Sequence, residues 1–252
     1  PMAAWERSQP ARWEPGKDGT SLYVAFEPEV PGVDERGHVA FGPGLIGQAA
    51  TFDGMQHLEA SDVQLEADRP WSIGIWLKPT GSLNGVLGKI EPAGGRRGFE
   101  VVWQKGRYQI NMVHRWGVDA IELLTRDAVT SADWQQLVVS YDGSGKASGM
   151  RVYIDGHAVP VNVMHDSLTG SIENGEPLRI GRRDSGLGFY GQLDEFRLLA
   201  YAVGDEDAER WFWSDRLRGA FVIAPEKRDA RTRQLLLEYY TIRHADGPTR
   251  EA

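Results

Sequence analysis

The sequence predicts an all-β fold: a two-sheet antiparallel β-sandwich of jelly-roll type, followed by a short C-terminal helical extension. Three observations predict it. Short apolar runs, several alternating with period two, are separated by turn residues as far as about residue 203. Thirty glycines in 252 residues supply the turns. Nine tryptophans, with many valines, isoleucines and tyrosines, suit a pleated surface. Strands that follow one another without crossover helices pair antiparallel, which favours a sandwich over a parallel α/β sheet.

The elements follow in order. Residues 1–20, PMAAWERSQPARWEPGKDGT, are polar and broken by prolines; they read as a linker in which Trp5 and Trp13 are placed to anchor it. Residues 21–203 carry the strands, among them SLYVAFE, GQAATFDG, WSIGIWLKP, FEVVWQKGRYQINMVHRW, IELLT, WQQLVVSYDG, MRVYIDGHAVPVNV and PLRIGRR. Asp155-Gly156 is a strong two-residue hairpin signal, and Lys105-Gly106 turns a second hairpin. Residues 204–252 change character. DEDAERWFWSDRLRGAF opens with acids, as a helix N-terminus favours, and Pro225 opens a second helix. Leu235, Leu236, Tyr239, Tyr240 and Ile242 fall on one stripe of it. That extension is expected to lead toward the rest of a longer parent protein.

Charge and composition exclude several partners. Twenty-eight basic and 36 acidic residues give a net charge of −8, the wrong sign for nucleic acid or an anionic membrane surface. No apolar run approaches the roughly 18 residues of a membrane span, so no membrane insertion is expected. The absence of cysteine removes disulfides, zinc–thiolate sites and thiol catalysis. The chain begins at Pro1 and carries no signal peptide, so it reads as a piece of a longer protein.

One stretch resists a simple strand reading. In YGQLDEFRLLAYAV, Asp194 and Glu195 stand side by side within an otherwise apolar run. Neighbouring side chains of an extended chain point to opposite faces. One acid should therefore reach solvent, with Glu195 pairing with Arg197 or a neighbouring strand, while Asp194 turns inward and must be paired or bound to a metal.

FDG, WSIGIWLKP, WQQLVVSYDG, MRVYIDGHAV, LRIGRR and GQLDEFRLLAYAV occur in the order expected of a laminin-G-like, concanavalin-A-like lectin/glucanase domain. The chain resembles that family over residues 21–203. Two further stretches, SYDGSGKASGMRVYIDGHAVPVNVMHDSLTGSI and IAPEKRDARTRQLLLEYYTIRH, resemble the module found within large exported planctomycete-type proteins that also carry cytochrome-c-like segments. The resemblance implies a non-catalytic binding module for a polysaccharide or glycan, exported to the periplasm or beyond. The alternative is a structural or interaction domain that packs against other domains of the parent. The resemblance also implies a structural Ca²⁺ joining the first and last strands. Asp194 would bind it with Asp53 or the carbonyls around Gly54, since calcium takes carboxylate and main-chain oxygens. Otherwise Asp194 accepts hydrogen bonds from loop amides or pairs with an arginine.

Catalysis finds little support. Glu59, Asp62 and Glu66 lack the Glu-x-Asp-x-x-Glu spacing of related hydrolases, and Glu100 and Glu122 read as isolated on their strands. His38, His57, His114, His157, His165 and His244 form no close pair of metal-binding spacing. EPAGGRRG, residues 91–98, lacks the Gly-Lys-Ser/Thr ending of a phosphate loop and reads as a hairpin-type connection. A ligand is expected on the hairpin VVWQKGRYQINMVHRWG, where Trp116 offers a ring and Asn111, His114 and Arg115 offer polar groups. Trp116 is expected exposed at the rim and Trp103 buried between the sheets.

Overall fold

Alternation decides which side chains of each strand meet across the sandwich, and the computed structural model follows it closely. It describes residues 2–8, 19–28, 31–129 and 133–244. A first helix, α1 (Met2–Ser8), precedes the strands. These begin with β1 (Thr20–Val24), β2 (Asp34–Arg36), β3 (Ala40–Pro43), β4 (Gln48–Asp53) and β5 (His57–Ala60). Longer strands follow: β6 (Trp71–Pro79), β7 (Leu83–Ile90), β8 (Gly98–Gln104), β9 (Arg107–Arg115), β10 (Asp119–Thr125) and β11 (Gln135–Tyr141). The series closes with β12 (Met150–Ile154), β13 (His157–Ala158), β14 (Val161–Asp166), β15 (Leu178–Ile180) and β16 (Tyr190–Leu199). Helices α2 (Asp205–Phe221) and α3 (Ala230–His244) end the described chain.

Two antiparallel sheets result. The first runs β13-β12-β11-β6-β16-β4-β3, with β1 beside β16; the second runs β14-β10-β9-β8-β7-β15-β5-β2. Ile73, Ile75 and Leu77 of β6 and Leu137, Val139 and Tyr141 of β11 face inward. They share one core cluster with Phe99, Val101 and Trp103 of β8 and with Tyr108, Ile110 and Met112 of β9. Burying each such side chain contributes about 1.5–3 kcal/mol. Both hairpin turns form where the sequence placed them: Lys105 and Gly106 have φ of 50° and 81°, Asp155 and Gly156 of 52° and 80°. Positive φ at both central residues matches the twist of the flanking strands.

Helix α2 starts with Asp205, Glu206 and Asp207, acids that suit its positive end. It lies on the outer face of the first sheet, where Phe212 stacks on Trp76 at 5.6 Å between centroids. Helix α3 packs on α2 through Leu217, Ala220 and Leu236. Trp5 of α1 joins them, 5.9 Å from Phe221 and 5.8 Å from Tyr239. Part of the expected linker is thus helical and docked; Trp13 lies outside the described residues. Among the described residues no helix is long and apolar enough to cross a membrane.

Strand β16 holds a β-bulge. Asp194 pairs with Trp76 and Arg197 with Gly74, so Glu195 and Phe196 together oppose Ile75 alone. Glu195 takes the left-handed conformation, φ 52°. Leu193, Phe196 and Leu198 point into the core. Asp194, Glu195 and Arg197 therefore all emerge on the outer side, beneath α2. This corrects the expectation that one acid reaches solvent: Asp194 is 0% exposed and Glu195 1%.

Candidate functional site

Asp194 is held by a loop. Its Oδ2 accepts the Leu45 and Ile46 amides at 2.9 and 3.1 Å, while its buried Oδ1 has no hydrogen-bond partner. Burial, and then the charge of Glu195, push its carboxyl up to about 9 against the pull of those amides. The residues expected to share a calcium ion with it stand elsewhere. Asp53 pairs with Tyr190, four residues back along β16, about 13 Å at strand rise. Its Oδ1 accepts the Met55 amide at 3.1 Å, and the Gly54 carbonyl accepts Arg182 Nη2 at 2.9 Å. The structure does not bring Asp53 or Gly54 to Asp194, so these residues do not fit one shared ion. No group of three or more acidic or histidine side chains among the described residues is placed to hold a metal.

Glu195 holds α2 instead. Its Oε2 accepts Tyr23 Oη at 2.7 Å, Arg218 Nη1 at 2.8 Å and Arg197 Nη2 at 3.0 Å. The Tyr23 phenol, pushed up by burial and by Glu195, stays a donor. Asp215 of α2 completes the cluster by accepting Trp76 Nε1 at 2.8 Å. This buried network fastens the helix to the first sheet and closes that region to ligands.

The outer face of the second sheet offers different chemistry. Each register partner leads to the next along one lateral row: His165, Glu122, Asn111, Glu100, Gly88, Arg179, Glu59 and Asp34. Every member is polar except Gly88, where the loop 182–188 crosses the sheet; a Cβ there would lie 2.1 Å from the Arg183 carbonyl. The strap divides the face, leaving one half over β8, β9, β10 and β14. Across that half Asn111 Nδ2 donates to Glu100 Oε1 at 2.6 Å, and Gln109 Nε2 to Glu122 Oε1 at 2.9 Å. Arg96 reaches in from the loop before β8, donating to Glu100 Oε2 and to Asp184 Oδ2, both at 2.9 Å. Burial alone would raise the Asp184 carboxyl, but the Gly186 amide and Arg96 hold it below the usual carboxylate range.

Arg96 also lies over the Trp116 ring, 5.6 Å from its centroid. Trp116 is 43% exposed, and its amide donates to the Gly95 carbonyl at 2.7 Å. Of the residues the sequence proposed for a ligand, Trp116 and Asn111 are joined through Arg96 and Glu100. Arg115 is exposed beside Gly95 at the same rim. His114 turns away, its Nδ1 donating to the Ser171 carbonyl at 2.7 Å. Trp103 is 5% exposed and packs edge-on against Tyr108.

Sequence reasoning missed Arg96, Glu100 and Asp184. The signal for Glu100 was present: a two-residue turn at Lys105-Gly106 sets Gln104 opposite Arg107, and counting back sets Glu100 opposite Asn111. Nothing local marked Arg96, whose loop closes by a bond from the Glu91 amide to the Arg97 carbonyl.

A family model described as the concanavalin A-like lectin/glucanases superfamily, of laminin-G type, matches residues 52–208. The chain belongs to this superfamily. The solved binding domain of Paraclostridial Mosquitocidal Protein 1 is similar to it with a TM-score of 0.64 at 14% identity, over 79% of this chain and 52% of that one. The ligand-binding domain of botulinum neurotoxin serotype D, solved with N-acetylneuraminic acid, gives 0.56 at 12% identity, over 77% and 50%. The chain thus spans about half the length of these domains, and at such identities the likeness shows the fold alone. No curated protein matches the chain.

Proposed function

We propose that this superfamily member is a non-catalytic carbohydrate-binding module of a larger exported multidomain protein. The observation that carries the reading is the exposed Trp116 ring, held by Arg96 at the end of the polar row Glu100–Asn111–Glu122. A flat ring covers the apolar face of a sugar, and fixed amides and carboxylates read its hydroxyls. The binding of N-acetylneuraminic acid by a domain of similar fold supports this ligand class.

The same geometry argues against hydrolysis. A glycosidase needs two carboxyl groups free to meet the scissile bond. Glu100 is 1% exposed, and both its oxygens are taken, by Asn111 and Arg96. A second reading, packing against other domains of the parent, is favoured by Val222 and Leu237, which stand exposed just after α2 and on α3. A glycan array probed with this chain tests the reading, with reducing-end release assayed on every glycan bound. Retention without release is expected; retention of none, or release of product, would refute it.

A further inference from the structure

The turn offered to calcium carries different chemistry, on the other sheet from Trp116. We propose that Tyr190 and Asp53 form a second saccharide contact, for a neutral pyranose or furanose unit of a polysaccharide. The proposal takes its ligand class from the carbohydrate-binding reading above. Among the phenylalanine, tryptophan and tyrosine rings of the described residues, Trp116 and Tyr190 are the two that stand exposed; Tyr190 is 48% exposed.

That ring is held rather than free. It lies over Gly54, at φ 89°, where a Cβ would sit 2.3 Å from Tyr190 Cζ. The Tyr190 amide donates to Asn84 Oδ1 at 2.7 Å, and its carbonyl accepts the Thr80 amide at 2.8 Å. A ring fixed before binding loses little entropy on stacking. Asp53 stands directly across from it in the ladder, exposed, its Oδ1 accepting only the local Met55 amide.

The next outward row adds Gln192, paired with Thr51 of β4 and Lys78 of β6. These side chains face out because Phe52, Leu77 and Leu193 between them fill the core. Helix α2 meets β6 at Gly74 and Trp76; beyond it Thr51, Asp53 and Tyr190 are exposed, while Lys78 and Gln192 are half-buried, Gln192 Nε2 donating to the Pro43 carbonyl at 3.4 Å. A carboxylate accepts two hydroxyls, and an amide with an ammonium supplies donors, beside a ring able to cover the apolar face of a sugar. Two such contacts on opposite sheets would let one chain hold two polysaccharide segments at once.

Calorimetric titration of arabinohexaose, xylohexaose and cellohexaose tests the proposal on the whole chain, Trp116→Ala, Tyr190→Ala and Asp53→Asn. Whichever hexaose binds should show about two sites per chain, and about one after either aromatic replacement. Asp53→Asn should weaken one of the two sites about tenfold with the melting temperature unchanged. One site per chain, lost in Trp116→Ala and untouched by Tyr190→Ala and Asp53→Asn, would overturn the second contact and leave the first standing. Binding of none of the three hexaoses would overturn both.

Discussion

Arg197 and Asp215 meet through two parallel hydrogen bonds, Nη1–Oδ2 at 2.7 Å and Nη2–Oδ1 at 2.6 Å, buried between the first sheet and α2. The fork of a guanidinium matches a carboxylate in this geometry, and burial makes the pair costly to leave half-made. Asp215→Asn should therefore destabilise the protein by about 3–5 kcal/mol. Urea denaturation of the variant measures it. A loss below about 1 kcal/mol would mean that α2 is a loosely attached appendage.

Asp194 gives stability a dependence on pH. Its folded-state value, about 9, lies above the ordinary 3.8. Between about pH 4 and 9 the folded state keeps a proton that the unfolded chain has released, so stability falls as pH rises through that window. Asp194→Asn removes the titration. The variant should gain on the wild type as pH rises from 5 to 9, by at most about 1.4 kcal/mol per unit. Parallel stability curves for the two proteins would show that Asp194 is ionised in the fold.

The two tryptophans of the β8–β9–β10 region should separate cleanly. Trp103→Ala empties a core site and should cost about 3–5 kcal/mol. Trp116→Ala removes an exposed ring and should cost less than about 1 kcal/mol. Thermal midpoints of both variants check this, and a reversed order would place the core elsewhere.

These contrasts show what was legible in the sequence. Alternation and turn chemistry reveal the sandwich because Phe99, Val101 and Trp103 face one way on β8 and the turn at Lys105-Gly106 is local. The same alternation misplaces Glu195, because the bulge that breaks it rests on a glutamate with φ 52°, and nothing in the residue type announces that. The lateral row through Glu122, Asn111 and Glu100 crosses three consecutive strands: its Glu100–Asn111 step follows from the two-residue turn at Lys105-Gly106, but its Asn111–Glu122 step is displaced by an irregularity between Asp119 and Ala120 that no residue type announces. Asp53 and Asp194 occupy fitting places in the chain, but register sets them apart along one face.

The helical extension should divide in two under truncation. Removing residues 222–252 takes away α3 and its contact through Leu236, yet keeps Asp215 and Arg218 on the first sheet. That protein should still unfold cooperatively. Ending the chain at residue 204 exposes Trp76, Glu195 and Arg197 and should abolish the transition, as followed by circular dichroism on heating. A cooperative transition in the shorter protein would contradict the role given to α2.

The central claim is that this module binds carbohydrate through Trp116 on the second sheet. Affinity electrophoresis of the wild type and Trp116→Ala through gels containing arabinan, xylan or β-glucan tests it most directly, with melting temperatures taken on the same samples. The wild type should be retarded by at least one polysaccharide and Trp116→Ala markedly less by that same one, at nearly equal melting temperatures. Equal retardation of the two proteins, or free migration of the wild type in all three gels, would contradict the claim.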